Sequence, residues 1–230
     1  MLEHPTAREV LVLAGGEPVE GASTPPLPSA DWVIAADSGL AVAATLGLDV
    51  DLVVGDMDSV DAELLAEAER AGARVERHPR AKDATDLALA LDAALEAAPA
   101  RVTVVGGAGG RLDHLLAGAL LLAAPRYAPL ALRARMGPAT VTVVRDEAEL
   151  VGEPGELVSL VAAHGPARGV TTTGLAYPLS GETLEPGSTR GVSNELTAAR
   201  AHLSVTEGAL LAIQPGAQTA HDPTAAQGAS

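Results

Sequence analysis

Residues 102–124 read VTVVGGAGGRLDHLLAGALLLAA, and this stretch decides the fold class. Val102 to Val105 is a short β-type apolar run. Gly106-Gly107-Ala108-Gly109-Gly110 is too glycine-rich to continue a strand, and Leu112 to Ala124 has the length and composition of a helix. Strand, tight loop and helix recur upstream. Val10 to Ala14 ends in Gly15-Gly16. Trp32 to Ala36 ends in Asp37-Ser38-Gly39, with a helical pattern following through Leu46. Leu52 to Val54 runs into GDMDS and the helical stretch DAELLAEAERA, and Arg74 to Glu76 is a further short strand. DATDLALALDAALEAA then places Leu87, Leu91 and Leu95 on one helical stripe. Strands alternating with helices predict an α/β domain over 1–136, with a mostly parallel, Rossmann-like sheet covered on both faces.

The pattern changes after about residue 135. Val141 to Val144, Leu157 to Val161, Gly169 to Thr173, Ala199 to Val205 and Ala209 to Ile213 read as short strands. The turns EPGE, HGPARG and LEPGSTRG separate them, with no helix pattern between. The expectation is a small all-β sandwich over 137–214, followed by a disordered tail over 215–230.

Composition removes whole classes of function. The chain has 230 residues, 47% of them hydrophobic but only 1% aromatic, so leucine, valine, isoleucine and alanine must build the core. Thirty acidic against 15 basic side chains give a net charge of −15, which repels phosphate backbones and anionic headgroups; neither nucleic acid nor membrane is an expected partner. A nucleotide would be repelled too, unless a divalent cation neutralised it locally. Absence of cysteine excludes disulfides and thiolate chemistry. The first residues, MLEHPTAREV, lack the basic start and apolar run of a signal peptide, and no apolar stretch reaches spanning length, so the chain reads as cytoplasmic.

Three acidic clusters fall where predicted strands end, the edge at which open α/β sheets bind ligands. In Gly55-Asp56-Met57-Asp58-Ser59, two carboxylates two residues apart can offer oxygens to one magnesium ion; the alternative is that Asp58 or Ser59 caps the next helix. In Lys82-Asp83-Ala84-Thr85-Asp86, Asp83 and Asp86 either form a capping-box-like start or add carboxylates to the same ion, with Lys82 touching a phosphate. The glycine loop leads into Arg111, Asp113 and His114. Its backbone N–H groups, Gly107 among them, and the Arg111 fork suit an anion, although the spacing matches neither the dinucleotide fingerprint nor a P-loop.

The run ADSG, GDMDS, KDATD, GGRLDH and, much later, Gly191-Val192-Ser193-Asn194-Glu195 closely resembles the thiamine pyrophosphokinase family over residues 10 to 213. That resemblance implies an ATP-binding α/β domain, a thiamine-binding β-sandwich, and a homodimer whose partner subunit completes the active site. It implies that Asp56, Asp58 and Asp86 coordinate Mg2+, with Asp83 close by and Asp113 in the catalytic set. Lys82, Gly107, Arg111 and His114 would hold the ATP phosphates, and Asp37, Ser193 and Asn194 would meet substrate. The reaction implied is transfer of a pyrophosphoryl group from ATP to the hydroxyl of thiamine.

Departures from the family pattern are local. Ser38 stands where a second glycine is usual, Ala88 and Leu89 replace charged residues, and no tryptophan lies in the second half, leaving Tyr177 as the ring available there. These differences keep two other readings open. One is the same chemistry on another hydroxyalkyl acceptor, such as a hydroxymethyl-pterin; the other is a non-catalytic nucleotide-binding relative.

Overall fold

The computed structural model describes residues 8–16 and 27–216, so the expected tail from 217 onward lies outside the described residues. Strands β1 (Glu9–Ala14), β2 (Trp32–Ala36), β3 (Leu52–Gly55), β4 (Arg74–Arg77), β5 (Arg101–Val105) and β6 (Leu132–Met136) pair in parallel in the order β6-β5-β1-β2-β3-β4. Four helices connect them: α1 (Gly39–Leu46), α2 (Ala62–Ala71), α3 (Asp86–Glu96) and α4 (Leu112–Leu122). Val10, Val12, Ile34, Val54, Val102 and Val104 pack on one face with Leu91 and Leu122, while Leu11, Leu13, Val33, Val53 and Val105 pack on the other with Leu40 and Val42. Burial on both faces is the reason these strands read as continuous apolar runs.

β6 turns back through a hairpin into β7 (Ala139–Val144), which pairs with it antiparallel. From there the same sheet continues through β14 (Leu210–Gln214) and β9 (Leu157–Ala162) to β12 (Asn194–Glu195). The change of character near residue 136 is therefore a change from parallel to antiparallel pairing inside one ten-stranded sheet. A second sheet, β11 (Glu182–Leu184), β10 (Ala167–Thr173), β13 (Arg200–Ser204) and β8 (Glu147–Val151), packs on that extension. Val144, Leu150, Val158, Leu160, Val170, Leu203 and Leu210 form the core between them. In β9 every second residue, Val158, Leu160 and Ala162, enters that core, the period-two pattern of a sandwich strand.

Four strands were not legible beforehand. β6 (LRARM) interleaves arginines and β8 (EAELV) interleaves glutamates at outward positions, which hides a strand from a hydrophobic reading. β11 and β12 are three and two residues long, below any usable period. Trp32 is buried among the core residues of the first face, as its place inside a strand implied.

α4 is tied to the antiparallel half at its C-terminal end. Arg145 Nη2 donates to the carbonyls of Ala123 and Ala124 at 2.6 and 3.0 Å, and His164 Nε2 lies 2.8 Å from the Leu120 carbonyl. A cation there also complements the helix dipole. Part of the gain is offset, because burial pushes the Arg145 guanidinium down from its ordinary pKa and leaves its Nε without a partner. Arg145→Met is expected to cost about 1 kcal/mol net, lowering the melting temperature by ~2–4 °C in a calorimetric scan; an unchanged melting temperature would show that the tie carries no energy.

Candidate active site

The strand order reverses between β1 and β5, whose following chains diverge and leave a crevice at their C-terminal ends. A cleft of about 540 Å³ opens there. Backbone makes its floor. Gly107 N donates to Gly15 O at 2.8 Å, and a Cβ on Gly106 (φ 103°) would collide with the Ala14 carbonyl oxygen. Glycine is required at that position.

Each remaining wall is the loop after one strand. The β2 loop brings Asp37, the β3 loop Asp58, and the β4–α3 connection Arg80 and Asp86; Asp56 and Lys82 come from the same loops without lining the cleft. These segments converge on Gly55, where a Cβ would lie 3.0 Å from both Asp37 Cβ and Asp86 Oδ1. One carboxylate oxygen from each of Asp37, Asp56 and Asp58 lies within 4.8 Å of the others. Asp37 and Met57 hold φ angles of 46° and 63°, a region that side chains bearing a Cβ enter at a cost. Two of the five non-glycine residues with positive φ among the described residues thus lie on the turns that aim the acids.

Asp37 is the most burdened of the cluster. It is only 7% exposed and its Oδ1 has no hydrogen-bond partner. Burial first, and then the negative charges of Asp86, Asp56 and Asp58, raise its pKa despite a backbone hydrogen bond from Ser38. Asp56 is shifted the other way, chiefly because Lys82 donates a hydrogen bond to it. Lys82 Nζ lies 3.0 Å from Asp56 Oδ2 and 3.0 Å from Asp86 Oδ1. Burial opposes its charge, but the two carboxylates outweigh that and hold the ammonium above its ordinary value. Arg80 Nη2 stands 3.2 Å from Asp58 Oδ2 in a largely exposed pair. A buried carboxylate oxygen left without a donor, beside two further acids within reach of one ion, suits a hard divalent cation. The residues fit magnesium.

The opposite wall suits an anion. α1 and α4 begin beside the cleft at Ser38 and Arg111 without any side-chain cap, although Leu40 N and Ala41 N of α1 already donate to the Asp37 and Ser38 carbonyls. Arg111 donates from Nε and Nη2 to the two oxygens of Asp113, at 3.1 and 2.6 Å. This fork holds the Asp113 pKa down at about 2. Gly107, Arg111 and His114 line the cleft together. Its inner end is apolar, with Leu87, Ala117, Gly118, Leu122, Ala134 and Met136.

The capping alternatives fail on geometry. α2 is capped by Asp61, which accepts from Glu63 N and Leu64 N, leaving Asp58 and Ser59 outside that role. α3 is capped by Thr85, whose Oγ1 accepts from Ala88 N, so Asp83 and Asp86 form no capping box. Asp86 faces the cleft, whereas Asp83 is exposed and does not line it.

Ser193 and Asn194 do not line the cleft of their own chain. Asn194 is buried and its amide is spent internally: Oδ1 accepts from Tyr177 N and Glu195 N, and Nδ2 donates to Tyr177 O. That clamp presents the Tyr177 ring, 61% exposed, on a fixed backbone. Asp37, expected at the substrate, lines the cleft and also belongs to the acid cluster. The sequence reading missed Arg80, for which the only signal was a second cation two residues before Lys82.

An α/β domain with an acid-lined, glycine-floored cleft at its strand ends, extended by a β-sandwich, is the layout of a metal-dependent transferase acting on a phosphorylated substrate. The family model described as "Thiamin pyrophosphokinase, catalytic domain" matches residues 26–131, and "Thiamin pyrophosphokinase, vitamin B1 binding domain" matches 140–210. The chain belongs to the thiamin pyrophosphokinase family. The curated thiamine pyrophosphokinase of Bacillus subtilis is 29% identical over 189 residues, covering 79% of this chain and 86% of that protein. The crystal structure of thiamine pyrophosphokinase from Bacillus subtilis matches with a TM-score of 0.78 at 28% identity, over 91% of this chain and 100% of that one. A thiamin pyrophosphokinase family protein from Enterococcus faecalis matches with a TM-score of 0.76 at 28% identity, over 92% and 100%.

Two measurements test the electrostatics. Because the Asp37 pKa is raised in the fold, ionising it costs stability, and that loss accrues as pH climbs from the ordinary carboxylate value through the raised one. Asp37→Asn is therefore expected to melt higher than the parent at pH 7 without divalent metal, and to gain less from added magnesium. A lower melting temperature for the metal-free variant would contradict this. The Asp113 pKa is depressed, so the stability from its pair with Arg111 is complete above about pH 4 and lost as pH falls toward 2. Carbon-detected NMR titration should place the Asp113 midpoint at about 2, and Arg111→Met should return it to the ordinary carboxylate range.

Proposed function

We propose that this chain is a thiamine diphosphokinase, moving the β,γ-pyrophosphoryl group of ATP to the hydroxyl of thiamine with release of AMP. The observation that carries the reading is the Asp37, Asp56 and Asp58 cluster, whose Asp37 and Asp58 line the same cleft as Arg111. Family membership and the Bacillus subtilis relative's printed name support thiamine over a pterin acceptor. Intact carboxylates argue against a mere binder, since mutually repelling acids cost stability unless an ion is bound.

In this reading Asp37, Asp56, Asp58 and Asp86 hold Mg2+, which when bound neutralises charge on the phosphate oxygens. The N-termini of α1 and α4, Gly107, His114 and Arg111 receive and orient the triphosphate. Lys82 reaches the same phosphates once Asp56 is occupied elsewhere. The acceptor oxygen bonds to the β-phosphorus as the bond from the α,β-bridging oxygen breaks, and the hydroxyl proton passes to a carboxylate. Asp113 is a poor acceptor, because Arg111 keeps its pKa at about 2, which leaves the proton to a carboxylate of the acid cluster. Little covalent chemistry is asked of the protein, and the barrier is lowered by positioning and charge neutralisation.

Magnesium as the ion, a homodimer in which the exposed Ser193 and Tyr177 edge serves the partner's cleft, and a cytoplasmic place of action belong to the same reading. Domain roles follow it: nucleotide over 1–136, vitamin and dimerisation over 137–214. Among the described residues no helix is long and apolar enough to cross a membrane.

AMP release measured with Mg-ATP and a panel of thiamine and hydroxymethyl-pterin acceptors tests the reading. Thiamine alone should support turnover. Asp56→Asn and Asp58→Asn should each lower kcat at least ~100-fold with an unchanged circular dichroism spectrum. Near-normal rates in both at saturating magnesium would refute the assignment.

A further inference from the structure

The connection between β4 and α3 carries two cations, Arg80 and Lys82, and both are engaged with the acids rather than held open for an anion. Their environments differ. Arg80 is 84% exposed, so water and salt screen its pair with Asp58. The Lys82 side chain is only 14% exposed, as is that of Asp56, and Nζ stands 3.0 Å from oxygens of two carboxylates that belong to different loops. An ammonium has three donors and no acceptor, so its place is fixed by those oxygens alone.

Lys82 meets Asp86 Oδ1 as an ion pair without hydrogen-bond geometry, so that oxygen is held by charge alone, and across the cluster Asp37 Oδ1 is buried and receives nothing. The acids therefore have one side balanced by a side chain and one side unbalanced. A divalent ion drawing on Asp37, Asp56 and Asp58 must compete with Lys82 for Asp56, and it brings like charge next to an ammonium that cannot leave its charge behind. Arriving alone, the ion strands that ammonium in a part-buried position. When the ion arrives with a polyphosphate in the cleft that Asp58, Asp86 and Arg111 line, the released ammonium has phosphate oxygens to pair with in place of Asp56.

We propose that Lys82 is a place-holding counter-ion that balances Asp56 and Asp86 in the empty site and thereby couples entry of the divalent ion to entry of the nucleotide. It is a positioning residue: it acts through the carboxylates, and its effect is a linkage between two ligands. The proposal rests on the functional reading above only in taking the acid cluster as the ion's site and a polyphosphate as the anion.

The test compares the full chain with Lys82→Met and Lys82→Arg, using Mn2+ as the ion and α,β-methylene-ATP, in which the bond to be broken is blocked, as the nucleotide. Free Mn2+ is followed by electron paramagnetic resonance. The parent should bind Mn2+ weakly alone and much more tightly with the analogue. Lys82→Met should bind Mn2+ alone about 10-fold more tightly and lose most of the enhancement by the analogue. Lys82→Arg, which keeps the charge, should retain the parental coupling. Metal-free Lys82→Met should also melt lower than the parent and recover on Mn2+ addition, which shows that it folds. Equal or weaker Mn2+ binding by Lys82→Met overturns the proposal and leaves the metal reading standing. No Mn2+ bound by any form, with or without the analogue, overturns both.

Discussion

Five parallel loops end at one edge of a sheet, and the strand order reverses between β1 and β5 in their midst. Everything at the site follows from that reversal. β1 is followed by β2 on one side and β5 by β6 on the other, which leaves a crevice between their ends. Only bare backbone can form the floor, because Gly106 sits against the Ala14 carbonyl and Gly107 is bonded to Gly15. The same edge collects the C-terminal loops of β2, β3 and β4, so side chains far apart in sequence are forced to share a small volume.

What they share is charge of one sign. A protein carrying a net charge of −15 gathers four aspartates around Gly55 and buries one of them with an oxygen unbonded. Such an arrangement costs stability by itself, and the cost is visible in the raised pKa of Asp37 and the left-handed backbone of Asp37 and Met57. Counter-charge arrives from a single connection, through Lys82 and Arg80, and from Arg111 onto Asp113. The site is thus an acidic centre held together by cations of the chain's own loops, in a cleft that Arg111, His114 and the glycine loop also line. Function draws on that tension, since ligands of both signs relieve it.

The antiparallel half contributes differently. It extends the same sheet, wraps a second sheet over it, and ties the C-terminal end of α4 through Arg145 and His164. Because α4 also carries Arg111, Asp113 and His114 at its other end, the sandwich helps fix the phosphate side of the cleft. Its Tyr177 and Ser193 edge is stiffened by Asn194 and does not line the cleft.

Strand and helix order was readable because strands buried on both faces leave unbroken apolar runs, and each run here ends in glycine or aspartate. Motif order identified the chemistry, since GDMDS, KDATD and GGRLDH bear residue types with few other uses together. Sequence also fixed what the protein cannot do with cysteine, and that any triphosphate must come to it with a cation. It could not distinguish caps from ligands, because Asp58, Asp61, Asp83 and Thr85 are equally able to cap a helix; only the side-chain hydrogen bonds at each start assign Asp61 and Thr85. Nor could it join Asp37 to Asp56 and Asp58, or set Lys82 between Asp56 and Asp86. Those relations depend on which strands become neighbours and where their order reverses, and nothing within any one segment encodes the distance to another.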